Sequence, residues 1–161
     1  MRKSLFAACS VLLASMSLAH PTSALSPVVA SGTFTAQINP ASITLAPAVG
    51  GNCVLTVNGV LTFSGTLDGT ATGTTTALIF ATCDQVATTP PGTFADVFRF
   101  VGDYAGTVAG QPASGSLTYA GSARAGGAIT ALITLRGDSS ALLRADAVVA
   151  VGGSYRGIAS P

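Results

Sequence analysis

From Cys53 to Leu67 apolar and polar side chains alternate almost without a break. Leu55, Val57, Leu61, Phe63 and Leu67 share one parity, and Thr56, Asn58, Thr62, Ser64 and Thr66 share the other. A period of two marks a strand with one buried face. Gly59 falls on the apolar parity and is expected to mark a bend or bulge. The following arm, Thr70 to Cys83, is rich in Thr and then runs through Leu78-Ile79-Phe80. Such β-branched stretches fit a pleated surface. Asp68-Gly69 lies between the arms and predicts the hairpin tip. That tip sets Cys53 and Cys83 nearly opposite each other at the open end, given a three-residue loop or one bulge.

The rest of the chain repeats this grammar. Residues 25–30 read as a loose lead-in. Gly32 to Ile38 is a first strand, stopped by Asn39-Pro40. Residues 41–51 form a connection punctuated by Pro and Gly, with room for a short extended piece. Residues 84–92, with Pro90-Pro91-Gly92, form a loop. Thr93 to Tyr104 carries an aromatic stripe at Phe94, Phe98, Phe100 and Tyr104; Asp96 shares its parity and Arg99 takes the other. Ser114 to Ala123 alternates with Leu117 and Tyr119 inward. Ala128 to Arg136 alternates with Ile129, Ala131, Ile133 and Leu135 inward. Ala141 to Ala150 fits either a helical turn or a strand, and Val148 to Val151 favours the strand. Ser154 to Ile158 is last. The expectation is an all-β fold of about eight antiparallel strands with almost no helix. A closed barrel is preferred, with a β-sandwich as the alternative, because long neighbouring hairpins with Gly bends coil and close.

One hairpin has an internal echo. Phe63-Ser-Gly-Thr-Leu-Asp-Gly69 recurs as Tyr104-Ala-Gly-Thr-Val-Ala-Gly110, with a weaker third copy at Tyr119-Ala-Gly121. Each copy is expected to place an aromatic residue before a Gly-flanked turn. This pattern, aromatic-x-Gly-x-Leu-x-Gly and then aromatic-x-Gly-x-Val-x-Gly, resembles the allene oxide cyclase barrel-like superfamily. Its nearest branch is the bacterial DUF3224-type barrel proteins of unknown function. The resemblance covers roughly residues 53–136, and Val148 to Gly157 is loosely similar to the end of dirigent proteins. It implies an eight-stranded antiparallel barrel, some of whose relatives cyclise or position apolar substrates inside. The acidic residue of the plant cyclases has no counterpart here, because the chain has no Glu. No catalytic residue is carried over.

Composition adds a compartment. Met1-Arg2-Lys3 followed by an apolar run from Ser4 to Ala19 describes a secretory signal peptide, too short to span a bilayer comfortably. Residues 1–24 are assigned to it, with cleavage after Ala24 preferred over Ala19, and 25–161 to a single barrel domain. Without the leader five Arg stand against six Asp, a net charge of −1, with no Lys, Glu or Trp. No basic patch or polybasic segment suggests nucleic acid or anionic lipid as a partner. An extracellular or periplasmic location, a bacterial source and no integral membrane segment after cleavage are the expectations. Oligomerisation is left open. Cys9 leaves with the leader, so Cys53 and Cys83 remain, an even number in a secreted chain. A Cys53–Cys83 disulfide would contribute roughly 3–4 kcal/mol in the chain-entropy model; two free buried thiols are the alternative.

Candidate chemistry is sparse. His20 goes with the leader, so Ser-His or Cys-His nucleophilic catalysis lacks its base. No metal site and no cofactor are expected. Asp96, Arg99 and Asp103 cluster in one strand. A carboxylate inside a barrel is a candidate general base; the plainer reading is exposed charges, with Arg99 pairing across the sheet. Phe94, Phe98, Phe100, Tyr104 and Tyr119 either fill the core or line a cavity for a small apolar ligand, since eight-stranded barrels do either. The first expectation is therefore a secreted ligand-binding barrel rather than an enzyme. The alternatives are a cyclase or isomerase acting by shape with one Asp, and a structural or surface-interaction protein with a plugged interior. A buried Asp in a continuous cavity separates the second reading from the first.

Overall fold

A computed structural model describes residues 26–161. The segment assigned to a signal peptide lies outside the described residues. The strands are β1 (Val28–Ile38), β2 (Thr44–Ala48), β3 (Asn52–Gly65), β4 (Leu67–Ile79), β5 (Asp96–Val108), β6 (Gln111–Ala123), β7 (Ala128–Gly137), β8 (Ser140–Val148) and β9 (Gly152–Ser160). Every pairing is antiparallel between chain neighbours from β3 to β9. β1 then pairs with both β9 and β3. Eight strands thus close into a barrel, and β2 is an extra strand on the outer half of β3.

The extra strand has a local cause. β1 leaves β3 after Ile38↔Gly59, where Asn39-Pro40 turns the chain. Pro40 cannot donate to a ladder. The Ser42 hydroxyl accepts from Asn58 N at 2.9 Å, and Asn39 N donates to Asn58 O at 2.8 Å. The ladder then resumes with β2 at Thr44↔Thr56.

The hairpin tip lies two residues earlier than Asp68-Gly69 predicts. Phe63 pairs with Gly69, so the chain turns around Thr66, with Gly65 at φ 117°. Asp68 and Gly69 are ladder residues of β4. Cys53 accordingly pairs with Ile79, and Cys83 lies beyond the strand, at the start of a short helix α1 (Cys83–Thr88). Gly59 is not a bulge, since the register runs through it without a slip. It aligns with Gly73 and Gly102 in one row across β3, β4 and β5. A methyl group at Gly102 would stand 2.5 Å from Thr72 O and 2.7 Å from the Phe100 ring. The row lets neighbouring strands and rings approach closely.

The two good copies of the repeated motif lie side by side. In the second, Ala109 and Gly110 both take positive φ, 50° and 79°, and make a two-residue hairpin loop. Ala109 N donates to Thr66 O at 2.7 Å, and the rings of Phe63 and Tyr104 meet edge to face at 6.1 Å. The third copy makes no turn: Tyr119 and Gly121 lie within β6.

The β3–β4, β5–β6 and β7–β8 turns gather at one end, the base. Here Leu67, Val108, Leu117, Leu135 and Tyr104 pack in a dry layer. Tyr155 ties it together: its hydroxyl accepts from Leu67 N at 2.9 Å and meets Leu67 O at 3.1 Å. The outer face carries Thr72, Thr74, Thr76, Arg99, Asp103, Arg144, Asp146 and Arg156, all exposed. The same face also exposes Val97, Val101, Leu132, Leu142 and Ile158. Among the described residues no helix is long and apolar enough to cross a membrane.

Candidate functional site: a cavity at the mouth of the barrel

The opposite end, the mouth, is covered rather than plugged. After β4 the chain crosses it as a strap, residues 80–95, that begins with α1. A capping box starts this helix: Gln85 N donates to Thr82 Oγ1 at 3.4 Å, and Thr82 N donates to the Gln85 side chain at 3.0 Å. A Cys53–Cys83 disulfide ties the strap to the start of β3, with Cα atoms 4.9 Å apart. At its other end Phe80 N donates to Ala95 O, and Gly126 N donates to Gly92 O at 2.9 Å, anchoring it to the β6–β7 turn.

Under the strap lies an apolar cavity of about 420 Å³. That volume is in the range of small-molecule sites. Phe34, Leu61, Phe98 and Tyr119 form its floor; Val57, Ala77 and Ile129 its walls; Leu45, Val86, Pro90, Phe94 and Val149 its rim and roof. The floor is a stack of rings. Phe98 meets Tyr119 at 4.9 Å and Phe34 meets Tyr119 at 5.3 Å, both edge to face, and Phe34 lies on Phe63 at 5.6 Å. Such pairs hold ring orientations beyond what burial alone gives.

The five aromatic positions proposed from the sequence divide between two layers. Phe94, Phe98 and Tyr119 line the cavity. Phe100 and Tyr104 lie deeper, each 2 % exposed, in the packed core. The Tyr104 hydroxyl donates to Thr107 O at 2.8 Å, and burial pushes it up to about 12.

Asp96, Arg99 and Asp103 do not form one cluster. Arg99 and Asp103 point outward, whereas Asp96 lines the cavity. It enters because β5 begins there, with Asp96 opposite Ala123 on the inward parity of Phe98 and Phe100. Burial pushes the Asp96 carboxyl up to about 6, against a pull downward by the Ala123 backbone. Tyr119 is 6 % exposed, and its hydroxyl is buried without a hydrogen-bond partner among the described residues. Burial raises this hydroxyl too, and the Asp96 charge raises it further. Asp96 and Tyr119 are the ionisable side chains of the lining.

The roof was not foreseen. Leu45 and Val86 come from segments that read as connections, because no strand alternation marks them, and Val149, in a run that favours a strand, lies in the turn between β8 and β9. One signal was present: Thr82-Cys-Asp-Gln85 has the spacing of a capping box and announces a helix start. No family model, curated protein or solved structure matches this chain.

Proposed function

We propose that this is a secreted barrel that binds a small, mainly apolar molecule in the mouth cavity, within the allene oxide cyclase barrel-like superfamily it resembles. The observation that carries the reading is the division of the interior. The base is packed by large side chains, while the mouth keeps about 420 Å³ lined by aliphatic and aromatic groups. A plugged structural barrel has no use for that space, since an unfilled apolar cavity is destabilising. The leader-like start and the disulfide support export. Native mass spectrometry of the protein recovered from culture medium or periplasm tests the reading. An extra mass lost on denaturation, on a chain beginning at Leu25, supports it. A bare mass that stays bare after incubation with apolar extracts of the source cells contradicts it.

Asp96 supports a second reading, a cyclase or isomerase that holds an apolar substrate by shape and uses this carboxyl as acid or base. A carboxyl whose pKa lies near 6 is suited to proton transfer near neutral pH. The compounds extracted from wild-type protein and from Asp96→Asn would then differ as isomers. Identical extracts from both remove that reading and leave the binding protein.

A further inference from the structure

The cavity carries one charge, and it is negative. Asp96 lines it from the first position of β5, and no Arg or Lys of the described residues does. Its ladder partners, Ile79 of β4 and Ala123 of β6, are uncharged. Arg99, on the same strand, and Arg124, next to Ala123, are exposed to solvent. The Asp96 carboxylate is thus partly buried with no cation to offset the cost, and that cost raises its titration to about 6. Asn would fill nearly the same volume without a charge to desolvate. A carboxylate kept beside an apolar space is balanced when a cation enters that space.

The other polar groups of the lining suit a guest that donates. Thr89 Oγ1 donates to Gln85 O at 2.8 Å and Thr93 Oγ1 to Pro90 O at 2.7 Å, so toward a guest both hydroxyls only accept. Thr75 can do either. The Tyr119 hydroxyl is closed off from the cavity and takes no part. Height fits as well. Asp96 and Phe98 share one parity of β5, which sets them about 7 Å apart along the strand, with Asp96 on the side of the strap. A chain-like guest can lay its apolar tail on the rings of Phe98 and Phe34 and keep its head beside Asp96, which retains some contact with water. A carboxylate head would set a second negative charge there. An alcohol head would donate one hydrogen bond and leave the charge unmatched. An ammonium head supplies both the donors and the opposite charge.

We propose that the cavity selects apolar amines in their ammonium form, the head paired with the Asp96 carboxylate and the tail on the ring floor. This rests on the cavity being a binding site, and the test separates the two. The full mature chain is titrated at pH 7.5 with the neutral apolar fluorophore N-phenylnaphthylamine, which is then competed off with decylamine, decanol and decanoate below their micelle concentrations. Decylamine is expected to compete about tenfold better than decanol, the worth of one charge-assisted contact at a partly exposed site, and decanoate worst. In Asp96→Asn the ratio of decylamine to decanol falls toward one. Asp103→Asn removes the same charge from the outer face and keeps the ratio, which separates pairing in the cavity from the net charge of the protein. Each variant is compared only with itself, so a general change in affinity does not affect the ratio. No fluorophore binding overturns the cavity as a binding site. Fluorophore binding with decylamine no better than decanol, with a ratio that survives in Asp96→Asn, or with one that falls equally in Asp103→Asn, overturns the amine proposal alone.

Discussion

Tyr155 and Tyr119 both point into the barrel, and their hydroxyls meet opposite fates. That of Tyr155 accepts from Leu67 N at 2.9 Å across the base, 88 residues away in sequence. That of Tyr119, under the mouth, meets no partner among the described residues. One hydroxyl therefore holds the fold, and the other lowers its stability.

The contrast predicts opposite responses to the same atomic change. Tyr155→Phe leaves Leu67 N unpaired in a dry layer and should cost about 1–3 kcal/mol of unfolding free energy. Tyr119→Phe removes an unsatisfied polar group and should be neutral or stabilising by up to about 1 kcal/mol. Urea unfolding of the two variants at one pH measures both.

Asp96 gives the fold a pH dependence of definite sign. Its carboxyl titrates near 6 in the folded chain against 3.8 for an ordinary Asp, because burial disfavours the charge. Below about pH 4 both states hold the proton and nothing is lost. Between about pH 4 and 6 the unfolded chain releases its proton first, so stability declines as pH rises, then levels off. Asp96→Asn should flatten this segment of the stability curve, as read by denaturant midpoints at a series of pH values.

The disulfide fastens a lid as well as a chain. Cys83 opens α1, whose Val86 roofs the cavity, and Cys53 opens β3. Replacing both cysteines by Ala should cost roughly 3–4 kcal/mol. It should also loosen the strap, so that N-phenylnaphthylamine dissociates faster while the far-ultraviolet spectrum of the barrel is retained. Stopped-flow displacement of the fluorophore measures this.

Gly102 tests the packing of the wall. Gly102→Ala sets a methyl group against Thr72 O, a backbone atom that cannot swing aside, and against the Phe100 ring. The variant should lose about 1–3 kcal/mol through overpacking. A thermal melt unchanged from the parent would show that the wall can open there.

Much of this fold was legible in the chain. The strict alternation of Leu55, Val57, Leu61 and Phe63 marks a long half-buried strand, and successive hairpins of that kind give a barrel. The turn was less legible. Asp68-Gly69 is a good local turn, yet Leu67 is needed in the base layer and the tip moves to Gly65-Thr66. Tertiary burial outweighed a local preference. The inward parity of Asp96 was visible beside Phe98 and Phe100, and Tyr119 was legible as an inward, candidate lining residue of the next strand. Val86 and Pro90 were not, because they come from a strap whose path over the mouth depends on long-range contacts. Alternation tells which residues face inward, not at which height the packing stops and the cavity begins.

The central claim is that the space beneath the strap is a binding site. It is tested most directly by titrating N-phenylnaphthylamine into the wild-type protein and into Ala77→Phe, which puts a ring where Ala77 now lines the cavity. The account predicts saturable binding of one fluorophore per wild-type chain, lost in Ala77→Phe while the circular dichroism spectrum and cooperative unfolding are kept. Absence of binding to the wild-type protein, or equal binding to both, would contradict it.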